Sequence, residues 1–392
     1  MSHQNLTPRL PYEIIGQIFE EPGFWFRDVV KLCLVSRQLL EPAQKRLYRV
    51  AKILLVEERA QSANSPYCRT QYIPTTWKLF RTLSENPRLA KLVKELNLHL
   101  IIELFFDDRH KIGLETSRVF AVSTFLRLAE NVEQVSFTWG WNRNLEELKV
   151  IKHYKKIKKL EFKDGTDEEI DFVAQNIPHL KQLKIWELHD VQFDPDEFSS
   201  PEKLEVLDIG QGSVEIMIAI VSANVSTLRY LKVPIEATLD LDFSQMSNLV
   251  SLHLTANRSE EMDEEEYKSK GRKFWKSLCK STSLRTLTFS PGKCLEALEE
   301  ALFGSSRYVY SLHDKPGPQQ PISTLSTLRF DSNIDLERAN LLLSGPLGST
   351  LHQVVVPEKL GYSRASLEES NKIDFVAGVC QKRGIELSRE NW

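Results

Sequence analysis

The chain has 392 residues, 41% hydrophobic and 27% charged, the balance of a folded protein with an ordinary core. A formal net charge of −3 gives no electrostatic case for nucleic acid or a membrane surface as the main partner, and no apolar run reaches the ~18 residues of a membrane span. Five scattered cysteines (Cys33, Cys68, Cys279, Cys294, Cys380) and a start without the layout of a secretory signal lead us to expect reduced thiols in the cytoplasm or nucleus.

Residues 10–50 come first and are helical in pattern. Pro11 can open a helix, because its missing N–H would be unpaired there anyway. Ile14, Ile15, Ile18 and Phe19 then share one face, and Pro22-Gly23 ends the segment. Asp28 is the expected N-cap of a second helix carrying Val29, Val30, Leu32 and Val35. A third stripe runs through Leu39, Leu40, Ala43 and Leu47, with Pro42 expected to kink it or start a fresh turn. Three helices of this size cannot bury all that surface alone.

Beyond Val50 the rhythm changes. Val50 to Val56 reads as a strand, residues 58–75 as a polar, disordered loop, and Trp77 to Leu83 as a helix. A Leu-x-x-Leu-x-Leu element then recurs. Its starting positions Val132, Ile157, Leu180, Leu204, Leu228 and Leu249 advance by 25, 23, 24, 24 and 21 residues, the period of leucine-rich repeats. Earlier and later copies are Val93/Leu96/Leu98, Leu284/Leu287/Phe289, Leu325/Leu328/Phe330 and Leu351/Val354/Val356. The last two apolar residues of each copy are two apart, as in a strand with one buried face. Helical patterns lie between copies at residues 116–130, 145–154, 168–176 and 214–223, with a longer one at 259–280. Residues 307–321, ending in Pro-Gly-Pro, read as a loop. Residues 367–380 read as a closing helix and 384–387 as a closing strand. The expected fold is therefore α/β: parallel strands on a concave face, helices on a convex one, stacked as an irregular solenoid.

Leu10-Pro11, Glu13-Ile14, Ile18-Phe19, Leu32, Leu34-Val35-Ser36-Arg37 and Leu47-Tyr48 together resemble an F-box, in the form numerous in filamentous fungi. The resemblance implies a three-helix module over residues 8–50 that docks on a Skp-type adaptor and through it joins a cullin–RING ubiquitin ligase. It implies adaptor contacts from Leu10, Pro11, Ile14, Ile18, Leu32, Val35 and Leu39. A helical cap over the first repeat is the other reading of the same helices. The expected domains are then 8–50, the F-box; 51–365, the leucine-rich array; and 366–392, a capping helix and strand.

No enzyme signature is present. There is no Cys-x-x-Cys pair, no His-Glu-x-x-His zinc spacing, and Gly345 to Thr350 lacks the Gly-Lys-Ser/Thr ending of a phosphate loop. Asp107 to His110 reads as a solvated turn, and the lysine run from Lys152 to Lys163 as the solvated side of a helix and strand. Asn5, Asn224 and Asn257 stand in glycosylation sequons, expected here as chance matches. We therefore expect no cofactor, no metal and no catalysis. Alternation places Trp186, Asp208, Tyr230, Lys232 and His253 on the concave face, as candidates for holding an unknown protein substrate, with Trp139 and Trp141 extending the patch. Two functions fit: substrate recognition for a Skp–cullin–F-box ligase, or a repeat scaffold acting without ubiquitin transfer.

Overall fold

The structure, a computed structural model, describes residues 14, 26–35, 37–58, 69–72, 74–102, 111–138, 145–190, 193–255, 270, 273–274, 276–289, 324–330, 350–357 and 376–390. Its contacts divide the chain into two units, residues 1–161 and 162–392.

In the first unit, helices α1 (Phe26–Val35) and α2 (Arg37–Tyr48) lead directly into strand β1 (Val50–Glu58). Helix α1 begins two residues before the expected cap, so Asp28 sits in its first turn, where a carboxylate suits the positive end of the helix dipole. Helix α2 continues through Pro42, at the cost of one backbone hydrogen bond. The polar stretch read as a loop contains strand β2 (Arg69–Tyr72), which pairs antiparallel with β1. Helices α3 (Pro74–Glu85) and α4 (Pro87–Ala90) then return the chain to β3 (Glu95–Ile102), parallel to β1 with Ala51 beside Leu96 and Ile53 beside Leu98. Helix α5 (Lys111–Leu128) precedes β4 (Gln134–Phe137), parallel to β3, and α6 (Leu145–Ile151) follows it. Ile53, Leu96, Leu98, Val135 and Phe137 on the strands and Leu83 and Phe125 on the helices are all buried. Phe80 and Phe125 meet edge to face, 5.9 Å between ring centres.

Strand β5 (Lys159–Thr166) crosses from the first unit to the second. Thr166 and Glu169 form a capping box at the start of α7 (Asp167–Asn176), each side chain bonding the other's backbone N–H. The second unit continues with β6 (Gln182–His189), β7 (Val206–Gly212), α8 (Val214–Ala223), β8 (Tyr230–Pro234) and β9 (Ser251–Thr255). It ends with β10 (Thr286–Phe289), β11 (Thr327–Phe330), β12 (Gln353–Pro357) and β13 (Glu386–Glu390). From β6 to β13 every strand runs parallel to the next. The register threads one ladder through the core: Leu183, Leu207, Leu231, Leu252, Leu287, Leu328 and Val354, each fully buried. This is the α/β fold of leucine-rich repeats.

Strict alternation of strand and helix does not hold. Residues 193–205 cross by turns, with Phe193 edge-on to Phe198 at 5.2 Å and Asp194 accepting the Asp196 N–H. Pro195 and Pro201, which cannot donate within a helix, explain the difference. After β8 the chain makes two short 3-10 turns, Ile235–Thr238 and Phe243–Gln245. The described part of the long 259–280 segment is helical and buries Phe274 and Leu278, with Phe274 edge-on to Phe243. At the end of the chain, residues 376–383 are helical, and the closing strand begins at Glu386 rather than Gly384. Leu10, Pro11, Ile18, the Asp107–His110 turn, Trp139, Trp141, the 307–321 loop and residues 345–349 of the Gly345–Thr350 turn lie outside the described residues.

A second repeat device had no counterpart in the leucine spacing. The residue before the first leucine of a repeat braces the preceding repeat. Thr227 donates to the Leu204 carbonyl at 2.7 Å, Ser283 to Leu249 at 2.8 Å, and Thr324 to Leu284 at 2.8 Å. Asn248 donates similarly to Ser226 at 2.7 Å. These bonds satisfy carbonyls at the turns into the strands, where backbone partners run short.

Candidate functional site

Two surfaces concentrate the residues that the sequence singled out. The first is on α1 and α2. Val29 and Ala43 are buried where these helices meet, and Leu32, Cys33, Leu39 and Leu47 pack against them. Leu32 and Leu39, expected to face an adaptor, thus contribute to the module's own core. The apolar side chains left facing outward are Leu34 at 84% exposure, Val30 and Leu40, with Ile14 exposed as well. Val30 and Leu34 are four apart and lie on one side of α1. The side chain of Val35 is not among those described. It is the pair of neighbouring outward side chains on α1, rather than one exposed leucine, that marks a candidate docking surface here.

The second surface is the polar side of strands β6 to β9. Lys184, Asp208, Lys232 and His253 occupy one cross-strand row, each beside the next in register. Asp208 and Lys232 form an ion pair at 3.4 Å, with side chains 17% and 27% exposed. Tyr230 is half-buried one row away, next to Ser251. His253 is buried, so its ring is set into the face rather than offered above it. Trp186 is 57% exposed, and the Lys184 ammonium lies 4.6 Å from the centre of its ring, a cation–π contact. On β7 the position after Ile209 is Gly210. A Cβ there would lie 2.5 Å from the Trp186 carbonyl oxygen, so only glycine fits. Of the five candidates on this face, Trp186 is exposed, Asp208, Tyr230 and Lys232 are part-buried and His253 is buried; Lys184, which the same alternation places outward, lies beside Asp208.

At the ends of β5 and β6, Asp164, Glu187 and His189 bring potential ligand atoms within 4.8 Å of one another. His189 and Glu187 are 4.0 Å apart with both side chains more than a third exposed, so water competes for every donor.

The described thiols are poor nucleophiles. Burial pushes Cys279 up to about 11 and raises Cys33 and Cys380 as well, which keeps all three protonated near neutrality. Asn224, one of the three sequon asparagines, is fully buried. It accepts from the Leu204 N–H at 2.7 Å and donates to the carbonyls of Pro201 at 2.6 Å and Ile220 at 2.8 Å. It is a structural clasp between repeats. Among the described residues no helix is long and apolar enough to cross a membrane.

No family profile and no curated protein matches the sequence. Among solved structures, a Bacteroides fragilis protein is similar over 83% of this chain and 86% of its own, at 13% identity and a TM-score of 0.36. Rad7, solved in complex with Elc1 from yeast, is similar over 78% of this chain and 77% of that one, at 13% identity and a TM-score of 0.32.

Proposed function

We propose that the chain is a non-catalytic substrate receptor of a Skp–cullin–F-box ubiquitin ligase. Residues 8–50 bind a Skp-type adaptor, and the repeat array holds a protein substrate. The observation that carries this reading is Leu34, 84% exposed in a segment with F-box residues, a single residue (Arg49) separating its last helix from the first strand of the array. The mechanism is proximity. One chain holding adaptor and substrate together raises the local concentration of substrate lysines at a ubiquitin-charged enzyme, with no bond made or broken by this protein.

Affinity purification of the full chain tests the proposal. A Skp-type adaptor and a cullin should both be retained, and both should be lost from the Leu34→Glu variant. Because Leu34 is mostly in water, that change leaves the helix pair intact. Adaptor without cullin is the result expected of a scaffold acting without ubiquitin transfer. Retention of neither by the wild-type chain removes the receptor reading.

A further inference from the structure

Strands β5 and β6 end alike. Each closes on two successive residues that are not buried and then a buried one: Lys163, Asp164 and Gly165 on β5, Trp186, Glu187 and Leu188 on β6. Asp164 on β5 thus corresponds to Glu187 on β6, and the two strands are hydrogen-bonded neighbours. His189 comes two residues after Glu187, and Leu188 between them turns into the core, so imidazole and carboxylate share a side. A donor atom from each of Asp164, Glu187 and His189 lies within 4.8 Å of the other two, and all three residues are part-buried. His189 Nε2 and Glu187 Oε1 are 4.0 Å apart.

We infer that Asp164, Glu187 and His189 form a binding site for a first-row divalent transition-metal ion, Zn²⁺ above the others. Donors held at ~2.0–2.2 Å from such an ion stand up to about 4.4 Å apart across it. The 4.0 Å pair is inside that limit. The outer bound of 4.8 Å exceeds it by a few tenths of an ångström, which part-exposed side chains close by a small rotation. An acidic cluster alone would attract any cation; the imidazole makes this set selective. One imidazole nitrogen with two carboxylate oxygens suits Zn²⁺, whereas Mg²⁺ and Ca²⁺ take oxygen donors throughout and Cu⁺ takes sulfur. Two carboxylates this close repel each other, and a dication between them removes the repulsion. Water competes with any single pair here, but three donors on two hydrogen-bonded strands act on one ion together. The ion ties the ends of two adjacent repeats, and a tetrahedral shell keeps one position for water or a partner's side chain. The site does not rest on the receptor reading.

The test is isothermal titration calorimetry on the full chain, stripped with EDTA and desalted, with ZnCl₂ and MgCl₂ as probes. Zn²⁺ should bind about tenfold more tightly than Mg²⁺, or better. His189→Ala, Glu187→Gln and Asp164→Asn should each weaken Zn²⁺ binding by about tenfold or more. His153→Ala, at an exposed histidine elsewhere, should leave it unchanged. Glu187→Gln and Asp164→Asn keep the size of side chains that are part-exposed, and equal unfolding midpoints in EDTA separate a lost ligand from a lost fold. Saturating Zn²⁺ should raise the unfolding midpoint of the wild-type chain and not that of His189→Ala. In Co²⁺-loaded protein, the visible absorption of a nitrogen-ligated ion should disappear with the same substitution. No Zn²⁺ binding by the wild-type chain, equal affinity for Mg²⁺, or an affinity that His189→Ala leaves unchanged overturns the inference.

Discussion

Asp208 and Lys232, opposite each other on neighbouring strands, hold their charges 3.4 Å apart with both side chains largely withdrawn from water. At that burial, removing one partner leaves the other charged and only partly solvated. Asp208→Asn should destabilise the fold by about 1–2 kcal/mol. Asp208→Asn combined with Lys232→Met should cost less than the sum of the two single changes, read by chemical denaturation as a double-mutant cycle. Additive effects would mean that the pair is not coupled.

Asn224 makes a stronger demand. Its three hydrogen bonds close buried backbone groups of two adjacent repeats. Asn224→Ala strands one N–H and two carbonyls, and the expected loss is about 2–4 kcal/mol, measured by denaturant unfolding. The same burial predicts that Asn224 stays unmodified when the chain is expressed through a glycosylating secretory route, which intact-mass analysis of a peptide spanning 221–228 can check.

The leucine ladder makes a graded prediction. Leu207 is fully buried between Leu183 and Leu231, and Leu207→Ala should cost about 2–5 kcal/mol. Trp186→Ala should cost under ~1 kcal/mol, because that ring is mostly in solvent. Similar losses from the two changes would contradict the assignment of one to the core and the other to a surface.

Much of this fold was legible because strand burial has a period of two, so leucines three and then two apart identify the strand, its buried face and its register neighbours. The bracing hydroxyls of Thr227, Ser283 and Thr324 were not, since a single polar residue before a leucine looks like any turn residue. Asn224 was read only as a sequon, because a hydrogen-bonding clasp and an acceptor site use the same three letters. On the helices, a 3.6-residue period shows which residues share a side but not which side the neighbouring helix covers. Leu32 and Leu39 are partly buried and pack against Val29 and Ala43, while Leu34, grouped with the F-box match, is exposed. Strand β2 was hidden by polar residues, which an edge strand accepts without loss of core.

Thiol chemistry offers a pH test. With Cys279 pushed up to about 11, roughly one molecule in a thousand carries its thiolate at pH 8. Alkylation of Cys279 in the native chain should be slow at pH 8 and rise about tenfold per pH unit towards 10. It should be much faster in denaturant, where the thiol returns to its ordinary range. Peptide mapping after timed iodoacetamide treatment follows this, and a native rate equal to the denatured one would place Cys279 in water.

The central claim is that α1 presents an adaptor-docking face. Its most direct measurement is the affinity of the purified full chain for a purified Skp-type adaptor, wild type against Leu34→Glu, by calorimetry. The wild-type chain should bind, and Leu34→Glu should weaken binding by about tenfold to a hundredfold or more, with unfolding stability unchanged. Equal affinity of the two chains, or no binding by the wild type, would contradict it.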